Sequence, residues 1–223
     1  MKKFSFLALC LLASAGLFAQ TQVTADKTGV DLQAAIDAAK AGDTVYVQAG
    51  TFYGNFKMKD GVNVSGGWDA EFKEQTDYAT ILDAQANGRV LHQPADFTTL
   101  TVWSNFTIQN GDLKEKAADQ LGSGVALNKK GQVKHCLIQN NTYSHTGSCN
   151  GGGVGNDAVD ANTDVLVDNC IVRNNKASNG GADKVYVGNA SNSSGSICRL
   201  LSHLYQNFRS KAGSFQSIGD PQK

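Results

Sequence analysis

The chain has 223 residues with 24 glycines, 2 prolines and 41% apolar residues, a composition that favours an ordered β-rich protein over a disordered one. Lys and Arg together number 20, and Asp and Glu also number 20. This balance favours neither nucleic acid nor an anionic membrane as a partner.

Residues 1–19 have the layout of a signal peptide. Two lysines precede an apolar segment at residues 4–12, and small residues follow it. We predict cleavage after Ala19, with the A-x-A sequence at residues 13–15 as the alternative site. The apolar segment is shorter than the roughly 20 residues that span a bilayer, so no transmembrane segment is expected after cleavage. The prediction is a secreted protein that is extracellular or at the cell surface, associated with the outer membrane, with the periplasm as the alternative.

Residues 31–42 are predicted to form the first regular element, a short helix. Its apolar side chains recur at helical spacing, at Leu32, Ala35, Ile36 and Ala39. Gly42 provides a stop signal, and residues 20–30 before the helix are predicted to be a linker. Because strands follow at once, we expect this helix to cap the exposed end of a stack of strands.

Residues 43–190 carry short, evenly spaced strand signals joined by Gly, Asn and Asp turns. The first predicted strands are residues 44–47, 56–58, 62–64, 79–82 and 90–92. No helical segment separates them, so an ordinary alternation of strands and helices is not expected.

An internal repeat occupies residues 103–111, 133–141 and 167–175, with offsets of 30 and then 34 residues. Four of its columns have matching residue types: Trp103, Val133 and Val167; Phe106, Cys136 and Cys170; Ile108, Ile138 and Val172; and Asn110, Asn140 and Asn174. Glycine-led strands alternate with these copies, the last of them predicted at residues 184–187. A unit of this size buries its apolar columns only by stacking on the next unit. The repeat therefore predicts inward apolar ladders and an asparagine ladder at a turn.

The predicted fold class is all-β, a right-handed parallel β-helix, or solenoid. In such a stack, like residues of successive coils lie about 4.8 Å apart. The alternative is an antiparallel β-sandwich, in which matching columns across three copies have no physical reason.

Several segments also resemble a known group of proteins. The sequence DLQAAIDAAKAGDTVYVQAGTF at residues 31–52 resembles the opening of pectin-lyase-like right-handed parallel β-helix proteins. VNVSGGW at 62–68, ATILD at 79–83 and FTIQNG at 106–111 resemble a bacterial exported subgroup with polymorphic outer-membrane-protein-like repeats. The resemblance covers about residues 28–188 and implies fold and export. It implies no single activity, because lyases, hydrolases, esterases, tail-spike proteins and adhesins share this fold.

A second cap is predicted at residues 191–223, after the repeat ends. A Ser/Asn/Gly linker comes first, and a helix is then indicated by one apolar stripe at Ile197, Leu200, Leu201, Leu204, Tyr205 and Phe208. The rival interpretation is that the chain is a truncated fragment of a longer surface protein.

The catalytic motifs of the pectin-lyase-like enzymes are incomplete in this sequence. Asn162-Thr163-Asp164 matches one polygalacturonase motif, but the paired aspartates, the His-Gly and the Arg-x-Lys of that family do not follow it. We therefore predict no catalytic residue, with Asp164 and Arg173 as the candidates if the protein is an enzyme. Arg173 aligns with Gln109 and Gln139, which indicates an ordinary outward position.

Calcium is the candidate cofactor, although none is predicted. Calcium prefers six to eight oxygen ligands, and the acidic residues closest together in the late repeat region are Asp157, Asp160 and Asp164. The alternative for these residues is a solvated loop.

Two repeat columns hold side chains that can be reactive. Cys136 and Cys170 share an inward column, and we expect two stacked unpaired thiols, with a disulfide as the alternative because the ladder spacing permits it. His135 shares its column with Asn105 and Asn169, so it is predicted to be a turn residue.

The sequence therefore predicts an exported, non-enzymatic β-helix that acts as an adhesin-like or glycan-binding surface module. Its expected partner is a polysaccharide or a glycan of a host or cell surface. Five aromatic residues could stack on a sugar ring: Tyr46, Tyr53, Trp68, Tyr78 and Trp103. Trp68, which follows two glycines, is the preferred candidate, whereas Trp103 is predicted to be core. The alternative is a polysaccharide lyase or glycoside hydrolase of the pectin-lyase-like group.

Overall fold

The computed structural model describes residues 20–114, 121–145, 151–156 and 164–177, together with the backbone of residues 184–191. The predicted signal peptide, the calcium candidates Asp157 and Asp160, and the predicted C-terminal capping helix lie outside the described residues.

The regular secondary structure of the described residues is β-strand apart from one helix. The strands are β1 (Gln20–Val23), β2 (Thr44–Gln48), β3 (Gly50–Tyr53), β4 (Phe56–Lys57), β5 (Asn63–Trp68), β6 (Thr80–Asp83), β7 (Leu91–His92), β8 (Thr101–Ser104), β9 (Phe106–Gln109), β10 (Val125–Leu127), β11 (Gly131–Lys134), β12 (Leu137–Gln139), β13 (Val154–Asn156), β14 (Leu166–Arg173) and β15 (Lys184–Ser191), and the helix is α1 (Gly29–Ala38). In this part of the chain, no helix is long and apolar enough to cross a membrane.

The strands form two sheets, and all their pairings are parallel except that of β15 with β14. The larger sheet has the order β1-β2-β5-β8-β11-β14-β12-β9-β6-β3. Because β14 pairs with both β11 and β12, it joins two arms. The first arm contains β1, β2, β5, β8 and β11, and the second arm contains β3, β6, β9 and β12. The smaller sheet has the order β13-β10-β7-β4.

Each arm of the larger sheet, and the smaller sheet, buries one continuous column of apolar side chains. The first arm and β14 contribute Val45, Val64, Trp103, Val133 and Val167. The second arm and β14 contribute Phe52, Leu82, Ile108, Ile138 and Val172. The smaller sheet contributes Phe56, Leu91, Val125 and Val154. All of these residues are at most 1% exposed, so the inward columns predicted from the repeat are confirmed, and the structure extends the first two by two earlier strands.

Two turns place asparagine or histidine in left-handed backbone. Values of φ between 48° and 63° occur at Asn105, His135 and Asn169 between the arms, and at Asn110, Asn140 and Asn174 after the second arm. Asparagine, aspartate and histidine tolerate this conformation better than most residues. The prediction that His135 is a turn residue is confirmed.

The predicted asparagine ladder lies one column further along than expected. Asn140 and Asn174 are exposed, and the buried amide ladder consists of the next residues, Asn141 and Asn175. The prediction was wrong because the left-handed residue makes the turn with its side chain at the surface. The residue that follows it is the one whose side chain is buried.

Buried amides bridge successive copies of the repeat in this ladder. The Asn175 Oδ1 accepts hydrogen bonds from the backbone N–H and the Nδ2 of Asn141, both at 3.0 Å. The Asn175 Nδ2 donates to the Ile138 carbonyl at 3.0 Å. One coil earlier, Asn141 repeats the pattern, because its Oδ1 accepts from the Gly111 N–H and its Nδ2 donates to the Ile108 carbonyl. Backbone groups at the turn are thereby satisfied without water.

Helix α1 differs in its bounds from the predicted helix at residues 31–42. It begins two residues earlier because Thr28 is its N-cap and forms a capping box with Asp31, and it ends before Ala39, whose backbone is extended. Leu32 and Ile36 are fully buried, and the helix packs against β1, β2, β3 and β4. The segment predicted as a linker, residues 20–30, contains β1 and the start of α1.

Strand β15 ends the parallel order. Residues 184–187 were predicted to continue the stack, but β15 pairs antiparallel with β14, with Val167 opposite Ala190 and Arg173 opposite Lys184. An antiparallel partner satisfies the edge of β14 and reverses the chain direction. No further parallel strand can then be added at this edge.

The substitution Ile138→Asp should abolish cooperative folding. Ile138 is fully buried in the column of the second arm, and an unpaired buried carboxylate costs several kcal/mol, comparable with a total stability of about 5–15 kcal/mol. Thermal unfolding followed by circular dichroism measures this. The control is Asn140→Asp, two residues away and exposed, which should melt like the wild type. A cooperative, wild-type melt of Ile138→Asp would refute the register.

The substitution Asn175→Ala should lower the free energy of unfolding in urea by about 1–3 kcal/mol, because it leaves the Asn141 N–H and the Ile138 carbonyl without their partner. The control Asn174→Gly removes an exposed side chain at a φ that glycine adopts freely and should change stability by about 0.5 kcal/mol or less. Equal effects of the two variants would show that the amide ladder is not stabilising.

Candidate functional site

The outward face of the second arm carries one continuous column that runs through every strand of the arm. In register, its members are Tyr53, Asp83, Gln109, Gln139 and Arg173. These residues follow the buried column by one position, and side chains alternate across a strand, so they lie on the opposite face of the sheet from the core. We call this column the outward ladder.

Four members of the outward ladder form an unbroken chain of hydrogen bonds. Arg173 donates through Nε and Nη2 to the Gln139 Oε1, at 2.9 and 2.7 Å. The Gln139 Nε2 donates to the Gln109 Oε1 at 3.0 Å, and the Gln109 Nε2 donates to the Asp83 Oδ2 at 3.0 Å. Arginine only donates and an ionised carboxylate only accepts. Asp83 and Arg173, at the two ends of this chain of hydrogen bonds, therefore fix the orientation of the two amides between them.

The two catalytic candidates are not brought together. Asp164 precedes β14 and forms an ion pair with Lys130, with 2.6 Å between Oδ2 and Nζ. Arg173 is the last residue of β14 and is hydrogen-bonded to Gln139. It has the outward position that its alignment predicted. The third calcium candidate, Asp164, is exposed, and among the described residues no group of three or more His, Cys, Asp or Glu could hold a metal ion.

Trp68 lies on the outward face of the first arm in a packed aromatic pair. Its ring contacts Tyr46 edge to face, with 5.1 Å between centroids and an angle of 79°. Its Nε1 donates to the Ser65 Oγ at 3.2 Å, and Gln75 donates to the same oxygen at 3.0 Å. Trp68 is only partly exposed, because these neighbours cover much of its surface. Trp103 is fully buried, as predicted.

Tyr53 is the more accessible aromatic residue, with 55% of its surface exposed. It begins the outward ladder beside Asp83. It also borders a groove of about 330 Å³ between α1 and the turn after β3, where Gln33, Asp37 and Asn55 supply polar groups. The sequence contained a signal for this site, because Tyr53 alternates with the buried Phe52, but no alternation rule predicts how exposed a ring will be.

A polar cleft of about 250 Å³ lies at the turn that follows the second arm. Its polar lining residues are Gln85, Asn110, Asp112, Asn140 and Thr142. Asn110 links this cleft to the outward ladder, since its Nδ2 donates to the Asp83 Oδ2 at 2.8 Å. Backbone pairing places Asp112 and Thr142 in successive coils. Sequence reasoning missed the cleft because Gln85 and Asp112 lie outside the repeat columns.

The two cysteines in the repeat are buried and free, which confirms the expectation of unpaired thiols. The Cys136 N–H donates to the Cys170 Sγ at 3.4 Å. Burial, together with the neighbouring Cys170 thiol, raises the pKa of Cys136 well above its ordinary value. A neutral, inaccessible thiol is a poor nucleophile, so this pair is part of the core rather than of a reactive site.

A polar cluster occupies the turn between the arms. The His135 ring stacks on Tyr78 at 4.9 Å between centroids. Its Nε2 lies 2.9 Å from the Asp77 Oδ1, and its Nδ1 lies 2.9 Å from the Asn169 Nδ2. Both ring nitrogens of His135 therefore have a polar partner. The cluster ties the loop between β5 and β6 to two later coils.

The chain has no match among protein-family models, curated proteins or solved structures. The resemblance drawn from sequence segments therefore remains an expectation.

Proposed function

We propose that this chain is an exported, non-enzymatic β-helix that binds a polysaccharide or a cell-surface glycan, as an adhesin-like surface module. The observation that carries the proposal is the outward ladder, in which an exposed tyrosine is followed by four polar side chains in successive coils. Export is supported by the signal-peptide layout of residues 1–19.

The winding that we propose is a right-handed parallel β-helix. The parallel pairing of strands from successive repeats and the three buried columns support it, since one coil that contributes a strand to each arm and to the smaller sheet generates all three. The right-handed sense follows from the strong preference of parallel crossover connections. In this arrangement α1 covers the first coil, and β15 covers the edge of β14.

The chemistry of the outward ladder suits a sugar chain. The ring of Tyr53 offers an apolar face for the C–H groups of a sugar, with a polar hydroxyl at its end. Asp83 is buried, whereas the Gln109 and Gln139 amides and the Arg173 guanidinium are half-buried and can exchange hydrogen bonds with hydroxyl groups. Successive side chains of the ladder repeat at about 4.8 Å along the stack. A repeated polar surface of this kind suits an extended, repetitive ligand.

The same geometry supports binding rather than bond cleavage. Hydrolysis of a glycosidic bond needs two carboxyl groups about 5–9.5 Å apart across the scissile bond, and elimination needs a positioned base. In the described residues, Asp164 is paired with Lys130, and Arg173 is held by Gln139. The two groups also lie at opposite ends of β14.

Glycan binding should depend on the ring of Tyr53. A glycan array followed by titration calorimetry of the best binder should show that Tyr53→Ala weakens binding about tenfold or more, or about 1.4 kcal/mol. Tyr53→Phe keeps the ring and should retain most of the affinity. A loss in Trp68→Ala with no loss in Tyr53→Ala would move the site to the first arm. Binding to no glycan would refute the proposed function.

The protein should not cleave polygalacturonate, with or without calcium. The assay follows the absorbance of unsaturated uronates for elimination and the release of reducing ends for hydrolysis. Turnover that disappears in Asp164→Asn or Arg173→Ala would establish the alternative, a lyase or hydrolase of the pectin-lyase-like group.

A further inference from the structure

The polar cleft after the second arm lies beside the outward ladder and shares a hydrogen bond with it. Asp83 belongs to the ladder, and its Oδ2 accepts from both Gln109 and Asn110. Asn110 in turn lines the cleft. A glycan that follows the ladder therefore passes the mouth of the cleft.

The cleft presents both acceptors and donors. Because the Asn110 Nδ2 is held by the Asp83 carboxylate, the Asn110 Oδ1 is left as an acceptor. Asn140 is exposed. Its side-chain amide makes no hydrogen bond within the described part of the chain, so it can both donate to a ligand and accept from one. The Asp112 Oδ1 accepts from the Ser144 hydroxyl at 2.7 Å, which leaves Oδ2 as an acceptor. Sugar hydroxyl groups, which donate and accept, match this set.

The formal charge of the cleft is negative. Of the described residues that line it, Asp112 alone carries a formal charge, and Asp83 lies behind Asn110. Lys176 continues the column of Asp112 and Thr142 one coil further on, outside the lining. The carboxylate of a uronate residue would meet Asp112 without a lining cation, and juxtaposed like charges are unfavourable. A neutral ring meets no such cost.

The volume limits the occupant to a small group. At about 250 Å³, the cleft is smaller than the roughly 300–1,000 Å³ of sites for drug-sized ligands. It can hold one sugar ring, with the rest of the chain lying along the outward ladder.

We propose that the cleft lined by Gln85, Asn110, Asp112, Asn140 and Thr142 is a subsite for one neutral sugar residue, so that the protein selects neutral glycans over polyuronates. This inference rests on the proposed glycan-binding function and adds the class of ligand. The proposed ligand is neutral, whereas the enzymes that the sequence segments resemble act on acidic substrates.

The test is titration of the mature protein with neutral tetrasaccharides of glucose, mannose, galactose and N-acetylglucosamine, with tetragalacturonate as the acidic counterpart. At least one neutral tetrasaccharide should bind, and tetragalacturonate should bind at least tenfold more weakly. Asn140→Gly and Asp112→Ala should each weaken neutral binding about tenfold, because each removes hydrogen bonds to the ring. Asp112→Asn, which is similar in shape and is expected to fold, should narrow the gap between neutral and acidic probes.

The matched control is Asn174→Gly. Asn174 has the same exposure, turn position and left-handed backbone as Asn140, but it lies one coil further on and does not line the cleft. It should bind like the wild type.

Three results would overturn the inference. Preference for tetragalacturonate, or wild-type affinity in both Asn140→Gly and Asp112→Ala, would refute the subsite and leave the proposed glycan binding intact. Binding of no probe at millimolar concentration would refute both.

Discussion

The burial of three apolar columns in parallel register determines, for the strands that the structure describes, which face of the sheet each side chain occupies. Side chains alternate across a strand, so once Ile108, Ile138 and Val172 are buried in one column, Gln109, Gln139 and Arg173 must lie on the opposite face. A slip of one residue would expose the whole buried column. The same register that builds the core therefore builds the outward ladder, and the candidate binding surface needs no separate scaffold.

Each turn after the second arm contributes polar side chains of two kinds, one exposed and one buried. The left-handed residues Asn140 and Asn174 present side chains at the surface, where Asn140 lines the cleft. The next residues, Asn141 and Asn175, bond the backbone of the previous coil. One turn thus supplies a buried interaction that joins successive copies of the repeat and an exposed group that can contact a ligand.

The sequence repeat was enough to predict the parallel columns. Apolar residues that recur 30 and then 34 positions apart are buried together when successive units stack in register. It placed the asparagine ladder one column too early, since residue identity alone does not show which of two neighbouring asparagines is buried. It did not predict the antiparallel pairing of β15, because a strand pattern contains no information about strand direction. Helix α1 was found, but its start was missed because the capping role of Thr28 was not recognised.

The candidate site was less predictable than the fold. Trp68 stood out as a large aromatic residue after two glycines, but its contacts with Tyr46 and Ser65 depend on tertiary packing. Arg173 was correctly aligned with Gln139, yet the hydrogen bonds between them depend on side-chain conformations that no repeat specifies. The cleft combines Gln85 and Asp112, which are brought together only by the parallel pairing of successive strands.

Methyl NOE spectroscopy of the mature protein, with labelled Ile, Leu and Val side chains, tests the register most directly. The parallel register predicts cross-peaks that connect Leu82 to Ile108, Ile108 to Ile138 and Ile138 to Val172 in order, with Leu137 connected instead to Ile171 on the outer face. Cross-peaks from Ile138 to Ile171, without those to Val172 and Ile108, would contradict it. That result would reverse the inner and outer faces and remove the outward ladder.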